Sequence, residues 1–213
     1  MELLAFAWDV AVHLDKHLAA LLAQYGTWVY VILFLIVFAE TGFVVTPFLP
    51  GDSLLFVAGA LCGAGSMDIW VLNATLIAAA ILGNSVNYAI GRYLGPKVFH
   101  WENSRFFNKA ALMKTHVFYE QHGGKTLVIT RFIPILRTFA PFVAGIGEMT
   151  YVRFQAYNVG GAVLWVTSLS VAGYLFGNLP IIQNNLSLVI LGIIVLSMLP
   201  ALIGYLKHRR AAP

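Results

Sequence analysis

The chain has 213 residues, of which 60% are hydrophobic and only 10% are charged. Its mean hydropathy of +0.81 excludes a soluble globular protein, because no soluble domain needs that much apolar surface. The net charge is +4, and twelve of the thirteen Lys and Arg residues follow residue 91, which makes the charge a signal of membrane orientation and argues against a nucleic-acid partner. Cys62 is the only cysteine, so an internal disulfide and a cysteine-based metal site are excluded.

The first predicted element is an amphipathic helix at about residues 3–23. We do not interpret this stretch as a secretory signal, because it lacks a basic first region and a small-residue cleavage site, and because Asp9 and Asp15 interrupt it. We expect the helix to lie in the outer interface of the membrane, with its apolar face turned toward the lipid.

A broken apolar stretch follows at residues 26–64, where two apolar pieces flank a break at 46–52. It is either one span plus a short reentrant piece or a single hairpin that enters and leaves on the outer side, and we interpret it as a reentrant hairpin. Asp52 or Ser53 is expected to cap the N-terminus of the outgoing helix. The residues predicted to shape the hairpin are Gly42, Pro47, Pro50 and Gly51.

Three segments have the length and apolarity of full membrane spans, namely Ile69–Leu94, Val152–Phe176 and Ile182–Leu206. Each gives about 20 or more mostly apolar residues, which is enough for a hydrocarbon core of about 30 Å. Because Lys and Arg accumulate on the cytoplasmic side, we expect the basic stretch 92–125 and the tail 207–210 to face the cytoplasm. The C-terminus is therefore expected to be cytoplasmic.

A second amphipathic helix is predicted at about 97–120, and a second broken segment follows at 123–148. That segment is too interrupted and too charged for a simple span, and it has to return to the cytoplasm because the next span starts near Arg153. We interpret it as a second reentrant hairpin. We attribute its shape to Pro134, Pro141 and Gly145. We expect Thr138 to cap the helix that forms the outgoing arm.

An internal repeat links the two halves of the chain. A shift of 82 residues superimposes identical residues, among them Met67/Met149, Ala74/Ala156, Ala80/Ala162, Leu82/Leu164, Gly91/Gly173 and Gly95/Gly177. Repeat one covers about 1–95, repeat two about 97–178, and the C-terminal span about 182–206. Because each repeat contains one span, the copies are expected to be inverted, as in transporters with broken helices. The predicted fold is a single-domain, all-α integral membrane protein: an inverted repeat of amphipathic helix, reentrant hairpin and transmembrane helix, plus a C-terminal transmembrane helix.

Charged side chains stand well inside the broken segments, where ionisable groups are costly and indicate function: Glu40, Asp52, Arg131 and Arg137. Arg131 and Arg137 could cradle a phosphate monoester, because a guanidinium group presents a fork of donors to phosphate oxygens and stays protonated. Alternatively, they form ion pairs with Glu40 and Asp52 that only tie the hairpins together. Glu40 could carry a proton at membrane depth and couple transport to a proton gradient, or it could serve as a structural ion pair.

The remaining sequence argues against an enzyme. No nucleophile–base pair, phosphate-binding loop or zinc-protease motif is recognisable, and the six His residues are scattered. We therefore expect no catalytic residue, no cofactor and no metal site. His13 and His17, one helical turn apart, are a weak candidate for metal binding.

Three motifs carry a family resemblance: "ETGFVVTPFLPGDS" at 40–53, "GNSVNYAIGRYLG" at 83–95 and "RFIPILRTFAPFVAG" at 131–145. They span the core of the chain, about residues 24–178. On these motifs the chain resembles the DedA family of bacterial inner-membrane proteins, relatives of the eukaryotic VTT-domain lipid scramblases. One departure is Asn84, at a position where many relatives carry an aspartate, which argues against a proton role there.

The resemblance implies a function that residue patterns alone do not show. Family members are implicated in returning undecaprenyl phosphate, the carrier lipid of cell-wall synthesis, from the outer to the cytoplasmic leaflet of the bacterial inner membrane, and others move phospholipids. It implies that Glu40 and Asp52 are the functional acidic pair and that Arg131 and Arg137 are the functional arginine pair. The implied partners are a lipid phosphate, protons and membrane lipids, with the proton-motive force as the driving force.

Three other functions stay open: a phospholipid translocase or scramblase without proton coupling, a cation/proton antiporter, and a membrane enzyme such as a lipid phosphatase. The antiporter would not need two arginines in its path, and the phosphatase would need a nucleophile beside a base. The oligomeric state also stays open. The pairs Gly91/Gly95 and Gly173/Gly177 fit either a homo-oligomer or packing between the two repeats.

Overall fold

The computed structural model describes residues 14–43, 51–99, 124–183, 185, 188–193 and 195. Within these residues the regular structure is helical and no strand is present, which confirms the all-α class predicted from the composition. The predicted helix at 97–120, the break at 46–52 and the span at 182–206 lie mostly outside the described residues. Pro47 and Pro50 lie outside them as well.

The first described segment consists of two consecutive helices, α1 (Leu14–Tyr25) and α2 (Val29–Gly42), joined by a 3-10 turn at Gly26–Trp28. Gly26 has a φ of 55°, a left-handed conformation that glycine adopts without strain, and this ends α1. The whole segment Lys16–Gly42 has 27 residues and is long and apolar enough to cross a membrane. From the sequence we predicted an interfacial helix and one hairpin arm here, with the boundary near Gly26.

The helix that follows the first break is shorter than a span. This helix, α3 (Gly51–Gly63), has 13 residues. At about 1.5 Å per residue it is roughly 20 Å long, less than the hydrocarbon core of a bilayer. A span-length segment followed by a short helix matches one of the two alternatives for residues 26–64. The single reentrant hairpin that we preferred for residues 26–64 stays a prediction, as does the other alternative.

Two long helices confirm two of the three predicted spans. They are α4 (Ile69–Phe99) and α7 (Tyr151–Phe176), and both contain windows of span length and apolarity. The N-terminus of α4 is capped by Asp68, whose Oδ1 accepts the backbone N–H groups of Trp70 at 2.7 Å and Val71 at 3.0 Å. This cap satisfies two of the amide groups that a helix start otherwise leaves without a partner.

The second broken segment is a pair of short helices, α5 (Lys125–Thr130) and α6 (Pro134–Ile146), separated by three residues. The two helices pack against each other, as predicted for a hairpin. Pro134 occupies the start of α6, where the missing N–H costs nothing because no partner within the helix exists there. After α7, the described chain contains the short helix α8 (Pro180–Gln183) and helical residues at 188–193.

The chain divides into two compact units, which consist of residues 1–36, 48–76 and 165–213 and of residues 37–47 and 77–164. In the first unit, α3 and α7 touch at backbone distance, with glycines at the points of contact. A Cβ on Gly59 would lie 2.0 Å from the carbonyl oxygen of Ser170, and a Cβ on Gly173 would lie 1.9 Å from the carbonyl oxygen of Phe56. No side chain fits at these two positions without moving a helix.

The second unit contains the same kind of contact, here between α6 and α4. A Cβ on Gly145 would lie 2.2 Å from the carbonyl oxygen of Tyr88, and a Cβ on Gly91 would lie 2.1 Å from the carbonyl oxygen of Phe142. Each contact in the first unit has a counterpart in the second. The counterpart of Gly59–Ser170 is Gly145–Tyr88, and the counterpart of Gly173–Phe56 is Gly91–Phe142. This packing gives the small residues a role within the chain, while the repeat boundaries and the inverted orientation stay predictions.

Candidate functional site

A buried ion pair joins α2 and α6 in the second unit. Glu40 stands in the last turn of α2 and is 0% exposed, and Arg137 stands in the first turn of α6 and is 2% exposed. Arg137 Nη2 donates a charge-assisted hydrogen bond to Glu40 Oε1. The structure therefore brings together one of the predicted acid–arginine pairs. Such a pair loses much of its hydration on burial, so breaking it would leave a costly isolated charge.

An amide on α4 holds the two helices that carry this ion pair. The Nδ2 group of Asn87 donates to the carbonyl oxygen of Thr41 at 3.1 Å and to the carbonyl oxygen of Thr138 at 2.8 Å. These acceptors are one residue beyond Glu40 and one residue beyond Arg137. Gly83 lets α2 approach α4 closely, since a Cβ there would lie 2.0 Å from Thr41 Oγ1. Asn87 thus fixes the backbone next to both members of the ion pair.

The second arginine has a neutral partner. Arg131 lies in the turn between α5 and α6, is 2% exposed, and donates through Nη2 to Asn158 Oδ1 at 2.5 Å and to the Asn158 carbonyl oxygen at 3.1 Å. Among the described residues its Nη1 has no hydrogen-bond partner. Of the two arginines, only Arg137 thus shows the carboxylate pairing that the alternative of a structural tie requires among the described residues, and the positive charge of Arg137 repels that of Arg131.

Asn158 belongs to a cluster of neutral polar side chains on α4 and α7. Asn84 Nδ2 donates to Asn158 Oδ1 at 3.1 Å, and Asn158 Nδ2 donates to Gln155 Oε1 at 2.9 Å and to the Ile81 carbonyl oxygen at 3.1 Å. Gln155 Nε2 in turn donates to Ser85 Oγ at 2.7 Å. We call Arg131, Asn84, Asn158, Gln155 and Ser85 the amide cluster. Asn84 thus has a hydrogen-bonding role on α4.

Tyr88, one residue after Asn87 on α4, is part of the core. It is buried, its ring stacks on Phe154 with centroids 4.3 Å apart, and its hydroxyl bonds to the carbonyl oxygen of Met149. Leu127 and Ala144 belong to the same hydrophobic cluster. Packing is therefore the observed role of Tyr88.

The acidic residue of the first broken segment has its contact in the first unit. Asp52 Oδ1 accepts a hydrogen bond from the indole Nε1 of the fully buried Trp165 at 2.9 Å. The expectation that Asp52 or Ser53 is the N-cap of α3 was wrong, because α3 begins at Gly51 and both residues stand inside its first turn. A carboxylate there still interacts favourably with the helix dipole. Among described atoms, Ser53 Oγ is buried without a hydrogen-bond partner.

Two expectations for the second broken segment are corrected. Thr138 is buried inside α6 and does not start it; the helix has no side-chain cap at its N-terminus. Pro141 lies within α6 and does not mark a break. Pro134 stands at the start of α6 and Gly145 allows the contact with α4, while their roles in shaping a hairpin stay predictions.

Three residues at or beside the charged groups were not predicted: Asn87, Asn158 and Trp165. Asn158 and Trp165 contact charged side chains, whereas Asn87 bonds to the backbone next to them. The two amides lie on long apolar helices, and a polar side chain at membrane depth is itself a signal of function. That signal was available for Asn158, which stands in the first half of α7. Trp165 gave no such signal, because an aromatic residue in an apolar span is ordinary. In the described part of the chain no group of His, Cys, Asp and Glu could hold a metal ion.

The sequence matches the VTT domain over residues 49–175. Protein DedA of Escherichia coli (strain K12) is 56% identical over 214 residues, covering 100% of this chain and 98% of that protein. Uncharacterized membrane protein ML0287 of Mycobacterium leprae is 44% identical over 181 residues, covering 83% of this chain and 81% of that protein. Inner membrane protein YqjA of Escherichia coli (strain K12) is 37% identical over 157 residues, covering 71% of this chain and 69% of that protein.

No solved structure matches the chain. The domain match nevertheless begins just before α3 and ends in α7, so it contains Arg131, Arg137 and the amide cluster, whereas Glu40 lies ahead of it. The similarity to Protein DedA extends over the remaining residues, Glu40 included. With a domain match over more than half of its length and a full-length relative at this identity, the chain belongs to the VTT-domain (DedA) family of membrane proteins.

Proposed function

We propose that the protein is a transporter that moves a lipid phosphate from the outer to the cytoplasmic leaflet of the bacterial inner membrane. The observation that carries the proposal is Arg131, a buried guanidinium in a broken helix whose hydrogen bonds go to a neutral amide. A buried cation without a counter-charge is costly, so its presence is best explained by an anion that binds there. A phosphate headgroup is an anion that suits a guanidinium.

The physical problem for such a transporter is the headgroup, because the lipid tail can stay in the bilayer. A phosphate loses its hydration when it enters about 30 Å of hydrocarbon, and only buried donors or cations can replace the lost water. If the two short helices form a reentrant hairpin, the turn between them carries a cation to membrane depth without a complete span. Arg131 would receive the phosphate there. Undecaprenyl phosphate is the lipid that we place first, on the family resemblance.

The Arg137–Glu40 pair supports coupling to the proton-motive force. A phosphate near Arg137 competes with Glu40 for the guanidinium, and a displaced carboxylate in an apolar surrounding takes up a proton. Release of that proton toward the cytoplasm would restore the ion pair and expel the headgroup. In this cycle Arg131 and Arg137 bind the phosphate and Glu40 carries the proton. Asp52 is assigned to the same acidic pair by resemblance.

Moving a lipid between leaflets makes and breaks no covalent bond. In this proposal the protein is therefore a transporter and not an enzyme, and it requires no cofactor. Its partners are a lipid phosphate, protons and membrane lipids. We place the protein in the inner membrane because its relative YqjA is named an inner membrane protein. The cytoplasmic C-terminus follows the positive charges at the end of the sequence.

Two alternatives give different results in the same measurement. A phospholipid scramblase would move lipids without a proton gradient and would tolerate Glu40→Gln. A cation/proton antiporter would move cations, but two buried arginines would repel them. The arginine at the amide cluster therefore favours an anionic substrate over a cation.

The test measures translocation of undecaprenyl phosphate in proteoliposomes that contain the purified full chain, with and without an imposed pH gradient. Arg131→Gln removes the proposed anion-binding charge, and Arg153→Gln is the matched control, because Arg153 is exposed at the start of α7. We expect gradient-stimulated translocation by the wild type and by Arg153→Gln, and loss of at least tenfold in Arg131→Gln.

Each other outcome has a defined meaning, provided that the variants elute as folded protein. Movement of equal rate with and without the gradient supports the scramblase. Unchanged movement in Arg131→Gln contradicts the assignment of the phosphate to this arginine. If the wild type moves no undecaprenyl phosphate, the proposed substrate is wrong, and phospholipids and then cations become the next candidates.

A further inference from the structure

The amide cluster leaves two buried atoms of opposite hydrogen-bonding character. Arg131 Nη1 is a donor and Asn84 Oδ1 is an acceptor, and neither has a partner among the described residues. The two side chains are neighbours, because Arg131 Nη2 and Asn84 Nδ2 donate to the same atom, Asn158 Oδ1, at 2.5 Å and 3.1 Å. Buried polar atoms without partners are rare and call for an explanation, and a ligand that donates and accepts is one.

The hydrogen-bond network fixes the orientation of both amides. A guanidinium only donates, so Asn158 turns its oxygen toward Arg131 and its Nδ2 group toward Gln155 and the carbonyl oxygen of Ile81. Asn84 then offers its Nδ2 group to the Asn158 oxygen, which leaves the Asn84 oxygen as the unused acceptor. The cluster therefore presents one charged donor and one neutral acceptor to a ligand.

A singly charged phosphate monoester matches this arrangement. Its anionic oxygens accept from the guanidinium, and its remaining P–OH group donates to the amide oxygen. A doubly charged monoester has no proton to donate and would place a negative oxygen against the Asn84 oxygen. A phosphodiester carries one charge but no P–OH group. Since the second pKa of a phosphate monoester is about 6, the singly and doubly charged forms are both present near neutral pH.

We propose that Arg131, Asn158 and Asn84 form the headgroup subsite, and that it takes a phosphate monoester in its singly charged, protonated form. This inference rests on the proposed function and adds to it a substrate class and a second route for protons. A proton bound to the phosphate crosses the membrane with the lipid, in addition to any that Glu40 carries. Asn158 positions the arginine, and Asn84 selects the protonated ligand.

Among the described residues, the charged groups around the subsite are few. The positive charge of Arg137 repels that of Arg131, and Arg137 is itself paired with Glu40. The side chains that α4 and α7 contribute to the amide cluster, Asn84, Ser85, Gln155 and Asn158, are all neutral. A change in the ionisation of Glu40 would affect the binding of any anion at Arg131, whereas a change in the ionisation of the ligand affects only a monoester. Comparing a monoester with a diester therefore separates these two causes of pH-dependent binding.

The experiment measures equilibrium binding to the purified full chain in detergent, with farnesyl phosphate and its methyl ester as probes. Both have the same tail, and the methyl ester keeps one negative charge but has no P–OH group. We expect farnesyl phosphate affinity to fall roughly tenfold per pH unit above about pH 6, as the singly charged form is depleted. We expect the affinity for the methyl ester to be independent of pH and about tenfold weaker at low pH, because one buried acceptor stays unsatisfied.

Variants identify the acceptor. In Asn84→Leu the methyl ester should bind as in the wild type, and farnesyl phosphate should lose its tenfold advantage at low pH. Asn73→Leu is the matched control, since this amide stands on the same helix but bonds to Ile69 and Ser170 in the first unit. It should behave as the wild type. The comparison of the two probes on the wild type does not depend on the folding of any variant.

Three results overturn the inference: equal pH dependence for both probes, an undiminished preference for the monoester in folded Asn84→Leu, or no saturable binding of either probe. Failure of the transporter proposal looks different, because binding is measured without transport. A pH-dependent monoester preference without translocation in proteoliposomes retains the subsite and rejects the transporter. Translocation without that preference retains the transporter and rejects the subsite.

Discussion

The guanidinium of Arg131 donates to two oxygen atoms of one residue, the side-chain oxygen and the backbone carbonyl oxygen of Asn158. Gly161, three residues further along α7, makes room for the arginine, since a Cβ there would lie 3.0 Å from Arg131 Cδ and Nε. Helix α7 thus provides a polar but neutral surface for a buried cation. Because this surface is neutral, the charge of Arg131 stays available to an anionic ligand.

The first prediction concerns the neutrality of that partner. Asn158→Asp changes no volume but places a carboxylate against Arg131, so an ion pair replaces the neutral contact. We expect the variant to be folded with a melting temperature close to that of the wild type, because the ion pair offsets the hydrogen bonds that the Asn158 Nδ2 group gives to Gln155 and Ile81. We expect its translocation of lipid phosphate to fall at least tenfold, because the carboxylate competes with the phosphate for the guanidinium. Differential scanning fluorimetry and the proteoliposome assay measure the two quantities.

Asn158→Leu distinguishes loss of charge from loss of contact. It removes the neutral side-chain partner without adding a charge, so it should lower the melting temperature, because Arg131 keeps its hydrogen bond to the backbone carbonyl oxygen of residue 158 but loses the one to the amide. Wild-type translocation in folded Asn158→Asp would contradict the need for an arginine without a counter-charge.

The second prediction concerns the buried pair of Glu40 and Arg137. Arg137→Gln leaves the Glu40 carboxylate buried without its cation, and we expect the free energy of unfolding to fall by about 3–5 kcal/mol. In the double variant Glu40→Gln/Arg137→Gln no isolated charge remains, so much of that loss should be recovered. Unfolding in mixed detergent micelles gives the free energies, and a double-mutant cycle gives the coupling between the residues. Strictly additive effects of the two single changes would argue against a stabilising ion pair.

Much of the fold is predictable because bilayer thickness imposes a simple length rule. The spans α4 and α7 follow from about 20 apolar residues in a row, and the pair α5 and α6 follows from charges and prolines that no simple span tolerates. The segment Lys16–Gly42 was harder to predict, because Gly26 interrupts the pattern although the chain on both sides is helical. A single glycine does not reveal whether a helix stops or only bends.

The partners of the charged residues are less predictable than the residues themselves. Arg131 and Arg137 stand out in the sequence, but their choice between Glu40, Asp52 and an amide depends on contacts between residues far apart in the chain. Arg137 pairs with Glu40 across 97 positions, and Arg131 takes Asn158 across 27. Pro141 shows a second limit: a proline can be accommodated inside a helix, so its presence does not locate a break.

The third prediction concerns Asn87, which donates to the backbone beside both members of the ion pair. Asn87→Leu keeps the volume and removes the hydrogen bonds to the carbonyl oxygens of Thr41 and Thr138. We expect the free energy of unfolding to fall by about 1–3 kcal/mol, because buried acceptors lose a donor that no water replaces. Thermal unfolding in detergent measures the change. An unchanged melting temperature would show that the two carbonyl groups do not need this donor.

The fourth prediction concerns the glycine contacts that occur in both units. A Cβ at Gly91 or Gly173 would lie about 2 Å from a backbone carbonyl oxygen, so Gly91→Ala and Gly173→Ala force α6 or α3 away from its partner helix. We expect each variant to lose about 1–3 kcal/mol or more of unfolding free energy, and the two losses to be similar because the contacts are equivalent.

Gly160 is the control for this last pair, because nothing lies within 4 Å of a Cβ built on it. Gly160→Ala should be neutral or stabilise the protein by about 0.5–1 kcal/mol, since alanine favours a helix interior over glycine. Melting temperatures of the three variants in one detergent make the comparison. If Gly91→Ala and Gly173→Ala had the same melting temperature as Gly160→Ala, the paired helices would not approach each other as closely as the carbonyl distances require. If only one of them were destabilised, the contacts of the two units would not be energetically equivalent.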